Sequence, residues 1–230
     1  MTDAGRGEPL PVAVLVSGSG TNLQALLDRF NLGASRDAEV VAVVGSRPGI
    51  PALDRARSAD VTTAALDDPD TDGRRLGEVL EKSGAQLVVL AGYLRKIPPP
   101  VVRSWRGRMV NIHPALLPSF GGAGMYGERV HEAVLASGAR VTGVTIHFVD
   151  EAYDEGAIVA QWPVPVLEDD DAEVLAARVL EVEHWLLPEV VAAYARDEFR
   201  LTDEGRAEWV DDRFAGDRFV MQEDEGRSDA

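Results

Sequence analysis

The chain has 230 residues, 45% of them hydrophobic and none of them cysteine, and its formal net charge is −16 from 39 acidic and 23 basic residues. This length and apolar content suffice for one sizeable α/β domain, and the lack of cysteine excludes a disulfide framework, a thiolate nucleophile and a cysteine metal site. The negative charge argues against nucleic acid as a partner, because a phosphate backbone would be repelled over most of the surface.

The first predicted elements are a strand, a glycine-rich turn and a helix. Residues 12–16 are apolar and mostly β-branched, the turn is SGSGTN at 17–22, and apolar residues then recur at helical spacing. Such a turn leaves free N–H groups at a helix N-terminus, which favours an anion. Leu23 stands where a dinucleotide fingerprint needs its third glycine, so we predict a monophosphate site and not a NAD site. A tight turn without a ligand is the alternative.

Helices and strands continue to alternate along the chain, which predicts a mostly parallel twisted sheet with helices on both faces. The predicted elements are a strand at 39–44, a helix around 51–59, a short extended piece at 61–65, a helix around 72–83 and a strand at 86–90. The turn at 91–97 then leaves the sheet beside the strand that carries the next motif.

The motif NIHPALLPSF at 111–120 lies at the end of a predicted buried strand. Asn111 and His113 are two residues apart, so their side chains face the same side of an extended backbone. Pro114 ends the strand ladder and leaves both groups at the carboxyl edge of the sheet, where open α/β sheets bind ligands. An amide that donates to a developing oxyanion, beside an imidazole that moves a proton, suits acyl transfer. A turn-capping Asn and a core His are the alternative.

A glycine-rich loop follows at 119–127, with four glycines in nine residues, and it is either a flap over the ligand or a passive connection. For His131, on the next predicted helix, we expect a surface or packing role. The alternation at 140–148 predicts a strand, and the acidic loop at 149–156 lacks the ligand pattern of a calcium site, so we expect no metal. A long helix at 171–194 should pack on the sheet.

Four motifs in this order resemble those of the folate-dependent formyltransferases, and most closely of those that act on 5-phosphoribosyl-glycinamide. They are GSGTN at 18–22, VVLAGYLRKI at 88–97, NIHPALLPSF at 111–120 and HFVDEAYDEG at 147–156. The likeness covers about residues 12–195. It implies a Rossmann-like α/β fold and transfer of a formyl group from 10-formyltetrahydrofolate, a co-substrate and not a tightly bound cofactor, to the substrate amine in purine biosynthesis.

The resemblance also assigns roles to individual residues. The catalytic set is Asn111, His113 and Asp154, in which the Asp154 carboxylate favours the protonated form of the His113 imidazole. His147 also matches a family position, in a supporting role. The residues expected to hold the phosphoribosyl substrate are Gly20, Thr21, Asn22 and Glu183. The residues expected to border the folate are Leu94, Arg95, Lys96, Ile97 and Asn111.

The sequence departs from the family pattern at two places. Ala157 stands where relatives usually have proline, which loosens the exit of the acidic loop without removing a functional group. The basic residue that helps relatives to hold folate aligns near Pro69, within an acidic stretch, so that contact cannot be transferred.

The predicted organisation is a polar N-terminal segment at 1–11, one formyltransferase domain at 12–197, a hairpin at 198–210 and an acidic tail at 211–230. No apolar run could serve as a signal core or span a bilayer, so we expect a cytoplasmic protein without a membrane partner. The expected partners are the two small-molecule substrates, and a homodimer is compatible with the sequence.

Three other functions stay open. Formyltetrahydrofolate hydrolase and methionyl-tRNA formyltransferase share the Asn, His and Asp set, but the first would carry an N-terminal regulatory domain and the second a basic C-terminal domain. A NADP-binding oxidoreductase would use the GSGTN turn together with Arg47.

Overall fold

The computed structural model describes residues 8–66 and 73–210 of the chain. The strands are β1 (Leu10–Val16), β2 (Ala38–Gly45), β3 (Thr62–Ala65), β4 (Leu87–Leu90), β5 (Met109–His113), β6 (Val141–Phe148), β7 (Ile158–Pro165), β8 (Phe199–Leu201) and β9 (Ala207–Trp209). The helices are α1 (Thr21–Phe30), α2 (Pro51–Ser58), α3 (Arg74–Ser83), α4 (Pro99–Ser104), α5 (Glu128–Ser137) and α6 (Ala172–Ala195). The predicted tail at 211–230, most of the N-terminal segment and the stretch around Pro69 lie outside the described residues.

The first seven strands form one sheet in the order β3-β2-β1-β4-β5-β6-β7. The strands from β3 to β5 pair in parallel, whereas β6 and β7 each pair antiparallel to the preceding strand. This confirms the predicted Rossmann-like, mostly parallel sheet. Strand β1 lies between β2 and β4, so the order of the strands reverses at β1. A crevice opens at the carboxyl end of such a strand, and sheets of this type bind ligands there.

Apolar side chains from both faces of the sheet are buried, as a sheet covered by helices requires. Alternate residues of β1 pack in opposite directions: Val12, Val14 and Val16 join a core that includes α1 and α6, while Ala13 and Leu15 join a core that includes α3 and α4. The predicted helices on both faces are therefore confirmed.

Two features complete the fold. Strands β8 and β9 pair antiparallel, with Phe199 opposite Trp209, which confirms the predicted C-terminal hairpin. The short helix α4 was not predicted; it begins inside the run Pro98–Pro100, because proline is tolerated in a first helical turn, where its missing N–H costs nothing. No helix within residues 8–66 and 73–210 is long and apolar enough to cross a membrane.

Candidate active site

A cavity of about 850 Å³ lies at the carboxyl ends of β1, β4 and β5. Its wall is formed by the turn after β1, residues 91–94 after β4, the end of β5, the glycine-rich loop and the first half of α6. This volume falls in the range of roughly 300–1,000 Å³ that small-molecule sites occupy. All of the residues predicted to act in catalysis or to hold the phosphoribosyl substrate border this one cavity.

Asn111 is held at the cavity by groups from two other segments. It lies directly opposite His147 in the antiparallel pairing of β5 with β6. Its Nδ2 atom is 3.1 Å from Nε2 of His147 and 3.5 Å from Oδ1 of Asp154. The pairing of β6 with β7 shifts register between Ile146 and His147, an irregularity that can re-aim a side chain beside a site.

His113 and Asp154 lie next to each other in the cavity wall, and the glycine-rich loop contacts both. Nδ1 of His113 is 3.7 Å from Oδ2 of Asp154, and Nε2–H of His113 donates to the Phe120 carbonyl at 2.8 Å. The Gly122 N–H donates to Oδ2 of Asp154 at 2.9 Å. A side chain at Gly121 would meet the end of the Leu117 side chain and come close to Asp154, so a larger residue there would require Leu117 to shift. The loop is thus part of the scaffold of the site.

Burial and charge act in opposite directions on these two groups. Burial lowers the pKa of the His113 imidazole below its ordinary value, and the Asp154 carboxylate opposes this effect without overcoming it. Burial raises the pKa of Asp154, but His147, the Gly122 N–H and His113 outweigh burial, so the pKa lies below its usual value. The site therefore holds a carboxylate beside an imidazole that is harder to protonate than a free one.

The turn after β1 places a helix N-terminus at the other end of the cavity. Gly20 precedes α1 in the left-handed conformation, with φ of 75°, and a side chain there would meet Ala52 at 2.6 Å. Glycine is required for both reasons. The first N–H groups of α1 point out of the helix, and the helix dipole favours an anion at that end.

Asn22 joins this turn to α6. Its Nδ2 donates to Oε2 of Glu183 at 2.9 Å, while its Oδ1 is buried and accepts no hydrogen bond from the described residues. Glu183 is only 7% exposed, and burial raises its pKa to about 7 although the hydrogen bond from Asn22 opposes the shift. The pair offers oxygen atoms that can accept hydrogen bonds from the polar groups of a ligand.

The segment predicted to border the folate is divided between two adjoining spaces. Leu94 borders the large cavity, and its N–H donates to Oγ of Ser17 at 2.9 Å. A smaller space of about 70 Å³ shares Asn111 and Asp154 with the large one. Three residues of the segment border it: Arg95, Lys96 and Ile97. The ammonium of Lys96 lies 5.5 Å from the centre of the Tyr153 ring.

Of the two roles expected for His131, surface or packing, the surface role is wrong, because the residue is buried beside the cavity. His131 is 4% exposed and borders the large cavity. It lies three positions before Val134, which is fully buried on the same helix. That spacing places the two side chains on one helix face, and it is the pattern from which an inward position of His131 could have been inferred.

Comparison with known proteins gives a consistent result. The family model described as formyl transferase matches residues 10–191. The chain is 43% identical over 201 residues to phosphoribosylglycinamide formyltransferase, chloroplastic, of Arabidopsis thaliana, a match that covers 84% of this chain and 68% of the plant protein. It is 41% identical over 204 residues to trifunctional purine biosynthetic protein adenosine-3 of Bos taurus, a match that covers 86% of this chain but 20% of the bovine protein. The chain thus spans about a fifth of the length of that multifunctional relative.

Solved structures show the same relationship in three dimensions. Glycinamide ribonucleotide transformylase 1 from Symbiobacterium toebii superposes with a TM-score of 0.81 at 36% sequence identity. The alignment covers 92% of this chain and 99% of that one.

Proposed function

The chain belongs to the formyl transferase family, and we propose that it transfers the formyl group of 10-formyltetrahydrofolate to the amine of 5-phosphoribosyl-glycinamide, a step of purine biosynthesis. The observation that carries the proposal is the single cavity that joins the Gly20 turn and Glu183 to Asn111, His113 and Asp154. A substrate with a phosphate, a ribose and an amine in that order would meet an anion site, a hydroxyl acceptor and an acyl-transfer group in the same order.

The phosphoribosyl end would bind at the start of α1. The N–H groups that follow Gly20, in Thr21 and Asn22, would donate to phosphate oxygens, which explains how a chain with a net charge of −16 captures an anion. The Glu183 carboxylate would accept hydrogen bonds from the ribose hydroxyls. These hydrogen bonds favour the ionised carboxylate and so work against the burial that raises the pKa of Glu183.

The chemical step would take place at the other end. As the substrate amine attacks the formyl carbon, negative charge develops on the formyl oxygen, and the Asn111 amide and the His113 imidazolium would donate to it. Asp154 lowers the cost of charging His113 in this buried position. The oxyanion adds a second attraction for the proton, so the imidazole becomes easier to protonate as the reaction proceeds. The intermediate would then collapse as the bond between the formyl carbon and N10 of the folate breaks, and the His113 imidazolium would give its proton to N10, which leaves as tetrahydrofolate. The proton lost by the amine, taken up through Asp154, would restore the imidazolium.

The folate would lie against Leu94 and the three residues that border the smaller space, with Asn111 shared between folate and oxyanion. It would act as a co-substrate that is released as tetrahydrofolate. The homodimer and the cytoplasmic location stay predictions.

The decisive experiment is a formyl-transfer assay on the purified chain with 10-formyltetrahydrofolate and 5-phosphoribosyl-glycinamide, in which both tetrahydrofolate and the formylated product are measured. We expect equal amounts of the two products. A parallel titration with NADPH and with a 10-formyl folate analogue tests the oxidoreductase alternative.

Three outcomes would overturn the proposal. Formate release that does not depend on the amine would indicate a hydrolase. Transfer to methionyl-tRNA alone would indicate the tRNA enzyme. Tight NADPH binding without folate binding would indicate an oxidoreductase.

A further inference from the structure

The substrate phosphate brings negative charge into a cavity whose wall is itself acidic. Among the described residues that border this cavity, four carry a carboxyl group and none is an arginine or a lysine. The four acidic residues are Glu128, Asp154, Glu173 and Glu183. The N–H groups at the start of α1 supply partial charges, so a permanent positive charge for the phosphate is not part of this wall.

Arg55 of α2 lies directly beside the turn that would hold the phosphate. Its Nε–H donates to the Ser19 carbonyl at 2.8 Å, and its Nη1 donates to Oε1 of Gln24 at 3.0 Å. These two partners stand on either side of residues 20–22, so the guanidinium joins the two ends of the turn. Both partners are neutral, so neither cancels the charge of Arg55.

The packing of α2 against the turn fixes Arg55 in this position. Ala52 and Arg55 are three residues apart and share one face of the helix. The Ala52 N–H donates to the Gly18 carbonyl at 3.2 Å. A side chain at Gly20 would meet the Ala52 side chain at 2.6 Å and the Arg55 side chain at 3.5 Å. The same face of α2 therefore contacts the turn at three successive residues, Gly18, Ser19 and Gly20.

We propose that Arg55 is a positioning residue for the substrate phosphate, which fixes the turn that donates the N–H groups and adds a positive charge beside them. This inference rests on the proposed function and deepens it. A positive charge near the start of α1 attracts a phosphate in addition to the helix dipole. The acyl-transfer groups lie at the other end of the cavity, so Arg55 acts on substrate binding and not on the chemical step.

The test is a formyl-transfer assay with two substrates, 5-phosphoribosyl-glycinamide and the glycinamide riboside that lacks the phosphate. Arg55→Gln should raise the KM for 5-phosphoribosyl-glycinamide roughly tenfold, the effect of one partly screened charge, and leave kcat unchanged. Its kcat/KM for the riboside, measured at high enzyme concentration, should equal that of the unmodified chain. A merely structural role would reduce kcat/KM for both substrates.

Two further variants complete the design. Arg57→Gln is the matched control, because it removes the same charge from the same helix, where Arg57 pairs with Asp54 at the surface; it should change neither constant. Arg55→Lys keeps the charge but not the paired hydrogen bonds, so its KM for 5-phosphoribosyl-glycinamide should lie between those of the unmodified chain and Arg55→Gln.

The inference would be overturned by an unchanged KM in Arg55→Gln, by an equal rise in Arg57→Gln, or by an equal loss of kcat/KM for both substrates. Thermal melts show whether the variants fold. If Arg55→Gln does not fold, Arg55→Lys decides by the same comparison of the two substrates. If the unmodified chain does not transfer formyl to 5-phosphoribosyl-glycinamide at all, the proposed function itself fails.

Discussion

Oδ2 of Asp154 lies 3.7 Å from Nδ1 of His113, and the two side chains keep only 12% and 4% of their surface exposed. This separation is too long for a hydrogen bond, so the carboxylate acts on the imidazole through its charge. Solvent screens that charge weakly in a buried site. Burial nevertheless lowers the pKa of His113 overall, and Asp154 limits how far it falls.

Asp154→Asn should therefore lower the pKa of His113 further and slow formyl transfer, since less imidazolium is available at neutral pH. Asparagine is a suitable replacement because it has the same size and also tolerates the left-handed backbone of Asp154, which has φ of 57°. The rate of the variant relative to the unmodified chain should rise as the pH falls. A pH–rate profile of both proteins measures this change.

Three neighbouring acidic residues provide controls for this variant. Asp150→Asn, Glu151→Gln and Glu155→Gln each remove one charge from the same loop and leave the pair of Asp154 with His113 intact. Glu151, for example, pairs with Arg103 at the surface, and substitutions of that kind are usually nearly silent. Effects of similar size at all four positions would mean that Asp154 has no special relationship with His113.

Asn111→Ala and His113→Ala should each reduce kcat by roughly 10²-fold or more and change KM little. Both side chains are proposed to donate to charge that appears mainly in the transition state, so their loss should lower kcat far more than it weakens substrate binding, with a small rise in the KM for the folate expected only at Asn111, which is also proposed to border the folate. Steady-state kinetics with both substrates gives the two constants, and a thermal melt shows that the variants are folded. A folded variant with nearly normal kcat would assign a structural role to that residue.

The elements that sequence periodicity predicts best are those in which local and tertiary preferences agree. Strands β1 and β5 and helix α6 fall close to their predicted positions because their apolar patterns match the faces that they bury. Asn111 and His113 border one cavity, as the period of two along a strand requires. Helix α4 was missed because its run of prolines obscures a helix that is only six residues long.

The contacts that complete the site join residues far apart in the chain. Asn22 and Glu183 are separated by 161 positions and Asn111 and His147 by 36, and no local pattern specifies either pairing. The resemblance to a family pointed to these residues, but the register of β5 against β6 had to be seen in the structure. The support that the glycine-rich loop gives to His113 and Asp154 comes from the backbone, which a sequence pattern cannot show.

Gly156→Ala should distort the loop that carries Asp154, because a side chain at this position would overlap the carbonyl oxygen of Phe148. We expect a loss of stability of about 1–3 kcal/mol, as for other overpacked sites, together with a fall in kcat as Asp154 moves relative to His113. Gly77→Ala in α3 is the matched control, since a side chain there meets nothing within 4 Å. It should raise stability slightly through helix propensity and leave kcat unchanged. If Gly156→Ala matched that control in melting temperature and in kcat, the loop would be less constrained than its packing indicates.

Glu183→Gln should separate stability from binding, because burial raises the pKa of Glu183 from 4.5 to about 7. The folded state therefore holds this proton more tightly than the unfolded state does. The folded chain loses stability as the pH rises between these two values, by at most about 3 kcal/mol once the carboxyl is fully ionised. Glutamine does not ionise, so the variant should match the unmodified chain at low pH, become progressively more stable than it as the pH rises from 4.5 to about 7, and keep a constant advantage above that pH.

The same variant should bind 5-phosphoribosyl-glycinamide at least roughly tenfold more weakly, since a neutral amide is a poorer acceptor for ribose hydroxyls than a carboxylate. Thermal melts at several pH values and calorimetric titration measure the two effects. Glu181→Gln reports the effect of removing a charge from the exposed face of the same helix. A stability difference that stays constant with pH would show that Glu183 ionises as an ordinary surface carboxyl does. Unchanged affinity would show that the ribose is held elsewhere. The combination of higher stability and weaker binding is expected only if this carboxylate is kept, at a cost to folding, for the substrate.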